Sequence, residues 1–270
     1  MRSIRLQMYL PVLMACALAG VEFLASAQSL PPLSGKYANG TLPGGSLIPI
    51  YPFPVITGEP FRAKFNARWV QPLSSEQQAT HEMHENVARD SNGRVFRETI
   101  ESPLASVPGH EPQIKVNHGI NVIDPVAGEG LFWSEFPPNT ATRRKLSAGG
   151  LRERPINPCE RRSEGGDSAI GDQPDQTVEE LGERNIEGLS ARGCRVTSVR
   201  MAGDGPNKGE PMTVVEEWWV SPELHVTLFF TRREPDGYDV TEQLEKIVLG
   251  EPNPKIFAPP HGYSIIDKNP

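Results

Sequence analysis

The chain has 270 residues, with 27 Lys and Arg against 34 Asp and Glu and a formal net charge of −7. That balance argues against nucleic acid or anionic lipid as the main partner, since both are bound by clustered Lys and Arg. The basic groups present, Arg143-Arg144-Lys145 and Arg161-Arg162, have acids nearby and read as a solvated face or loop. The length suits one large domain or two small ones, with chain enough for a sizeable core.

Residues 1–27 read as a secretory signal peptide. Arg2 and Arg5 form a positive start, Met8 to Leu24 is almost wholly apolar, and Ala25-Ser26-Ala27 is a small-x-small cleavage pattern. A transmembrane anchor needs about 20 apolar residues, and this run is broken by Pro11 and Glu22. A rival route is lipidation at Cys16, because Leu13-Met14-Ala15-Cys16 has the form of a lipobox. Against it, the residues after Cys16 stay apolar where a lipoprotein has a polar tether. Membrane association is expected only if Cys16 is lipidated; otherwise the protein is periplasmic or extracellular. Residues 28–58, rich in Pro, Gly and Ser, read as a linker.

Strand signals begin at Phe61. Phe61, Ala63, Phe65, Ala67 and Trp69 alternate with Arg62, Lys64, Asn66 and Arg68, the period of a half-buried strand. Thr80 to Arg89 and Arg94 to Ile100 flank Asp90-Ser91-Asn92-Gly93, and Asn-Gly between two such runs predicts a hairpin. Ile114 to Asp124 and Gly130 to Phe136 flank a second turn at Asp124-Pro125-Val126-Ala127-Gly128.

From Arg143 to Gln176 the periodicity is lost, and a flexible insertion is expected at about 147–176. It holds Cys159, and Cys194 follows in a strand-like run. Two cysteines left after export suit one disulfide in an oxidising compartment; the alternative is two unrelated thiols, since sequence does not report whether their Cβ atoms meet.

Strands resume with Thr177 to Ile186, Gly188 to Met201, Met212 to Val220, His225 to Arg233 and Tyr238 to Leu249. Glu234-Pro235-Asp236-Gly237 marks the last hairpin turn. Phe257, Tyr263 and Ile265 are expected to tuck the tail against the sheet. About ten strands at hairpin spacing, with few short helices, predict a mainly β domain over 59–270: one large curved antiparallel sheet, a half-barrel.

Five runs carry a resemblance: Val87-Ala88-Arg89-Asp90-Ser91-Asn92-Gly93-Arg94, Asn121-Val122-Ile123-Asp124-Pro125, Glu180 to Gly188, Trp219-Val220-Ser221-Pro222-Glu223-Leu224, and Gly250-Glu251-Pro252-Asn253-Pro254 through Tyr263. In order and spacing they resemble a family of uncharacterised secreted bacterial proteins. That group is distantly similar to the lipoprotein-carrier and outer-membrane-lipoprotein-sorting (LolA-like) superfamily. The resemblance implies a curved half-barrel covered by helices around an apolar cavity. This chain departs from it by lacking obvious covering helices and by inserting 147–176.

No catalytic motif survives its context. His81-Glu82-Met83-His84-Glu85 suggests a metal, but residues three apart on a strand face opposite ways and the third ligand is missing; surface polar residues are the reading preferred. Gly166-Asp167-Ser168 has no strand leading into it, and Gly188-Leu189-Ser190-Ala191-Arg192 has Arg192 where a nucleophile elbow needs glycine. The doublets Glu216-Glu217 and Glu179-Glu180 place neighbours on opposite faces and read as solvated strand residues. The aromatics Trp69, Trp133, Trp218, Trp219 and Phe229 are candidates for lining an apolar ligand site, with core packing as the competing explanation. The expectation is a non-enzymatic cell-envelope binding protein, without metal or cofactor, holding a lipid-like or other apolar ligand. The alternative is a structural or protein-interaction module of the envelope with no ligand cavity.

Overall fold

The structure, a computed structural model, describes residues 56–72, 78–101, 118–146, 159, 176–201 and 209–268. The expected signal peptide with Cys16, the linker up to residue 55, and the insertion other than Cys159 and Gln176 lie outside the described residues.

The predicted alternation forms β1 (Phe61–Pro72). After it come β2 (Gln78–Arg89), β3 (Val95–Glu101), β4 (Gly119–Asp124), β5 (Glu129–Ser134), β6 (Thr140–Lys145), β7 (Gln176–Ile186), β8 (Leu189–Met201), β9 (Pro211–Ser221), β10 (Val226–Arg233) and β11 (Asp239–Leu249). A 3-10 turn at Pro254–Phe257 leads to β12 (Ser264–Asp267). All twelve strands join one sheet in the order β12-β6-β5-β4-β3-β2-β1-β11-β10-β9-β8-β7. Every pairing is antiparallel except β12 on β6. Two meanders, β1–β6 and β7–β11, are thus joined through β1 and β11.

The sheet is open and curved. Arg89 on β2 donates to the Leu224 carbonyl at 2.9 Å, from the turn before β10. Glu187, at the β7–β8 tip, accepts from the Lys246 backbone N–H on β11 at 2.8 Å. Each pair lies three ladder steps apart, about 14 Å on a flat sheet, too far for such bonds. Bulges at Arg62/Lys64 opposite β11, at Thr227/Phe229 in β10 and at Glu180/Gly182 in β7 add the local twist that bends the strands.

Both faces are packed. The inward row of β1, Phe61, Ala63, Phe65 and Ala67, joins Val87, Val95, Ile123 and Leu244 in the larger core. On the opposite face Phe96, Val122, Trp133 and Ala141 meet Phe257 from the tail, which packs edge-on to Phe96 at 6.4 Å under the Arg94 guanidinium.

Twelve strands replace the ten expected. The two additions, β6 and β12, have little alternation to read: β6 is Thr-Ala-Thr-Arg-Arg-Lys, with only Ala141 buried, and β12 is four residues long. Phe257 is buried as expected, whereas Ile265 is about half exposed because β12 is the outer strand.

The Asn92-Gly93 hairpin forms as predicted. The Gly93 N–H bonds the Asp90 carbonyl, and the buried Asp90 carboxylate accepts from the backbone N–H of Asn92 and of Arg94. Gly93 has φ 83°, and a Cβ there would sit 2.9 Å from the Ile56 carbonyl oxygen. Gly93→Ala is therefore expected to cost about 2 kcal/mol, read from the urea midpoint at unchanged slope.

Cys159 and Cys194 are joined in a disulfide with Cα atoms 5.4 Å apart, which removes the reading of two unrelated thiols. Cys194 is fully buried on β8. The bond closes a loop of 35 residues, so the double variant Cys159→Ala/Cys194→Ala is expected to lose about 3 kcal/mol, measured by denaturant titration without reductant.

Candidate functional site: a buried polar band on the sheet

Directly paired residues on adjacent strands point to the same face, so the register gives the composition of each row. One row, from β2 to β8, reads Met83, Ala67, Glu242, Phe230, Trp218 and Cys194. The next reads His81, Trp69, Val240, Arg232, Glu216 and Val196. On the other side of the first row stand Thr99, Glu85, Phe65 and Leu244. Phe65, Ala67, Leu244, Met83 and Trp69 of these rows belong to or pack on the larger core, yet the rows carry an acid from each of three strands: Glu85, Glu216 and Glu242, with exposures of 5%, 5% and 1%.

Two of the acids are held in ion pairs. Arg97 grips Glu85 through Nε and Nη2 at 2.7 and 2.5 Å, and the Thr99 hydroxyl donates to the other carboxylate oxygen at 3.2 Å. Arg232 bonds Glu234 and lies 3.7 Å from Glu216. The solvated reading of Glu85 and Glu216 is thereby corrected: the pleat turns both inward, where the half-buried Arg97 and the buried Arg232 hold them. Their sequence neighbours do face outward, Glu217 bonding Arg195 at 2.8 Å and Arg195 in turn bonding Glu179 at 2.8 Å.

Glu242 differs. Its Oε2 is buried without a hydrogen-bond partner. Burial pushes its carboxyl up to about 8, the Arg97 charge opposing and the Glu85 charge adding to the shift. At neutral pH it is a protonated acid, able to donate one hydrogen bond. The Trp218 Nε1 and the His81 Nε2 are likewise buried and unpartnered. The His81 ring stacks on Trp69 at 5.1 Å, and burial lowers its pKa. An acid, an indole and an imidazole with unused capacity thus share one apolar-lined face.

The five aromatics proposed from sequence divide between the faces. Trp69 and Trp218 lie in the rows above, Trp218 against Phe230 with ring centroids 4.3 Å apart. Trp219 and Phe229 pair on the other side of β9 and β10, below the Arg184 guanidinium at 3.9 and 4.9 Å, and pack into the larger core. Gly193 makes room there, since a Cβ would fall 2.6 Å from the Trp219 ring. Trp133 belongs to the core under the tail.

No family model matches the chain, and no curated protein matches it. Among solved structures it is similar to PNGF-II at 9% identity and a TM-score of 0.36, over 79% of this chain and 32% of that one. It is similar to MucB at 13% identity and 0.34, over 77% and 60%. A LolA superfamily protein from Nitrosomonas europaea matches at 11% identity and 0.30, over 76% and 91%. The chain thus spans about a third of PNGF-II and three fifths of MucB.

His81 and His84 diverge as the strand period requires, His81 towards Trp69 and His84 to Asn66 at 2.7 Å on the other face. Among the described residues no three His, Cys, Asp or Glu side chains are grouped to hold a metal. Ser190 is exposed between buried Leu189 and Ala191, and Gly166-Asp167-Ser168 lies outside the described residues. Glu242 and Arg232 were not singled out from the sequence, and Glu85 and Glu216 were read there as solvated. The signal was nonetheless present, because Val240-x-Glu242-x-Leu244, Met83-x-Glu85-x-Val87 and Val214-x-Glu216-x-Trp218 each put one acid into an apolar inward row.

Proposed function

We propose that this is a binding protein of the cell envelope that holds an apolar ligand with a polar head against the face of its curved sheet that carries Glu242. The observation that carries the reading is the unpartnered, buried carboxyl of Glu242 within a row of Met83, Ala67, Phe230 and Trp218. A buried polar group with no partner costs about 1–3 kcal/mol, and a ligand that bonds it recovers that cost. Apolar walls with a few placed polar atoms suit small-molecule recognition. The Cys159–Cys194 disulfide and the export-type N-terminus support an oxidising compartment.

The test is organic extraction of protein purified from its native envelope, followed by mass spectrometry. A stoichiometric lipid-like species is expected. Its absence, together with no saturable uptake of added acyl probes, overturns the reading. The second reading, an interaction module, draws on Ile265 and Ile266, both about half exposed on the outer strand β12. It predicts a bound protein in place of the lipid.

A further inference from the structure

We propose that Glu242 and Trp218 form a two-donor subsite for the uncharged carbonyl head of an apolar ligand, an ester or amide in preference to a free carboxylate or phosphate. This rests on the binding function above and specifies the chemistry of its polar end.

The two groups occupy one ladder row on the same face, with Phe230 between them, their backbones two strand spacings, about 10 Å, apart. Both end in a buried atom without a partner, Glu242 Oε2 and Trp218 Nε1. An indole N–H only donates, and a protonated carboxyl donates through its O–H. Two donors call for an acceptor. Ala67, paired with Glu242 on β1, is the smallest side chain of the row and offers that carboxyl no hydrogen-bonding group.

The charges around Glu242 select a neutral acceptor. Facing it are Glu85 from β2 and Arg97 from β3, with His81 from β2, Arg232 from β10 and Glu216 from β9 in the next row. Both guanidiniums are engaged by acids, Arg97 by Glu85 and Arg232 by Glu216 and Glu234. An anionic head would enter beside Glu85 and Glu216 and compete for cations already committed to them, whereas an ester carbonyl takes the two hydrogen bonds without adding charge.

The experiment uses the full chain and three bromine-labelled quenchers of tryptophan fluorescence: methyl 9,10-dibromostearate, 9,10-dibromostearic acid and 9,10-dibromooctadecane. At pH 7 the ester is expected to bind about tenfold more tightly than the acid or the alkane, the worth of a well-made buried hydrogen bond. Glu242→Gln keeps an N–H donor and holds ester affinity within a few-fold. Glu242→Leu and Trp218→Phe weaken the ester about tenfold and leave the alkane unchanged. From pH 7 to 9 the wild type loses about tenfold for the ester while Glu242→Gln loses none. Equal binding of ester and acid, or an ester preference that survives Glu242→Leu, overturns the subsite and leaves the binding function standing. Failure of all three probes to quench overturns the binding function itself. Urea midpoints of each variant establish that the fold is intact.

Discussion

Arg97→Leu is expected to lower the unfolding free energy by about 3–5 kcal/mol, the cost of removing one partner of a buried ion pair. Arg97 is the bidentate partner of Glu85, and its charge also opposes the upward shift of Glu242. Without it, two carboxyls on adjacent rows face each other with the nearest cation gone. Glu242 then holds its proton more strongly in the folded protein, so the destabilisation is expected to grow from pH 5 to pH 8. The double variant Glu85→Leu/Arg97→Leu removes charge and countercharge together and should recover most of the loss, because apolar replacement of a whole buried pair is often near neutral. Urea unfolding of wild type, both single variants and the double variant measures the coupling. A double variant no better than Arg97→Leu would mean that Arg97 matters for packing, over Phe65 at 5.9 Å, more than for charge.

Stability should fall steadily as pH rises from about 4.5 to about 8, and Glu242→Gln should flatten that slope. The Glu242 carboxyl is raised from 4.5 to about 8 in the folded protein. Between those values the folded chain keeps a proton that the unfolded chain has released, so unfolding liberates it and higher pH favours unfolding. The loss is on the order of 4 kcal/mol across the window and levels off above pH 8, where Glu242 is ionised in both states. Below pH 4.5 this group contributes no slope. Denaturant midpoints at half-unit pH intervals test this, with Glu242→Gln as reference. A wild-type profile parallel to that of the variant would exclude Glu242 as the titrating group.

The strands were legible wherever one face is buried and the other wet. β1 declares itself by Phe61, Ala63, Phe65, Ala67 and Trp69, and the Asn92-Gly93 turn fixes the hairpin after β2. β6 was hidden because Ala141 is its only buried residue, and the rest, Thr140, Thr142, Arg143, Arg144 and Lys145, resembles a loop by composition. β12 was hidden because its pairing with β6 is made after the chain has crossed a face of the sheet, and four residues carry no period. The buried band escaped for a different reason. Charged residues are solvated by default, so Glu85 and Glu216 were read from residue type and not from position, although the flanking Met83, Val87, Val214 and Trp218 place them inward. The partners that make such burial tolerable, Arg97 and Arg232, lie on other strands, where only the register brings them together.

The pairing of β1 with β11 also sets an order of assembly. Phe61 lies opposite Leu249, so the joint between the two meanders links residues separated by nearly the whole described domain, while every other neighbouring pair except β12 on β6 is adjacent in sequence. Loop-closure entropy makes such distant contacts slow to form. Each meander can zip from its own turns, but β1 keeps an unpaired edge, with its Phe and Ala face uncovered, until the last long strand has been made and delivered. An unpaired edge of that kind is a template for association between chains. Refolding yield should therefore depend on protein concentration, and the strand that begins the sheet is also the one whose pairing is completed latest.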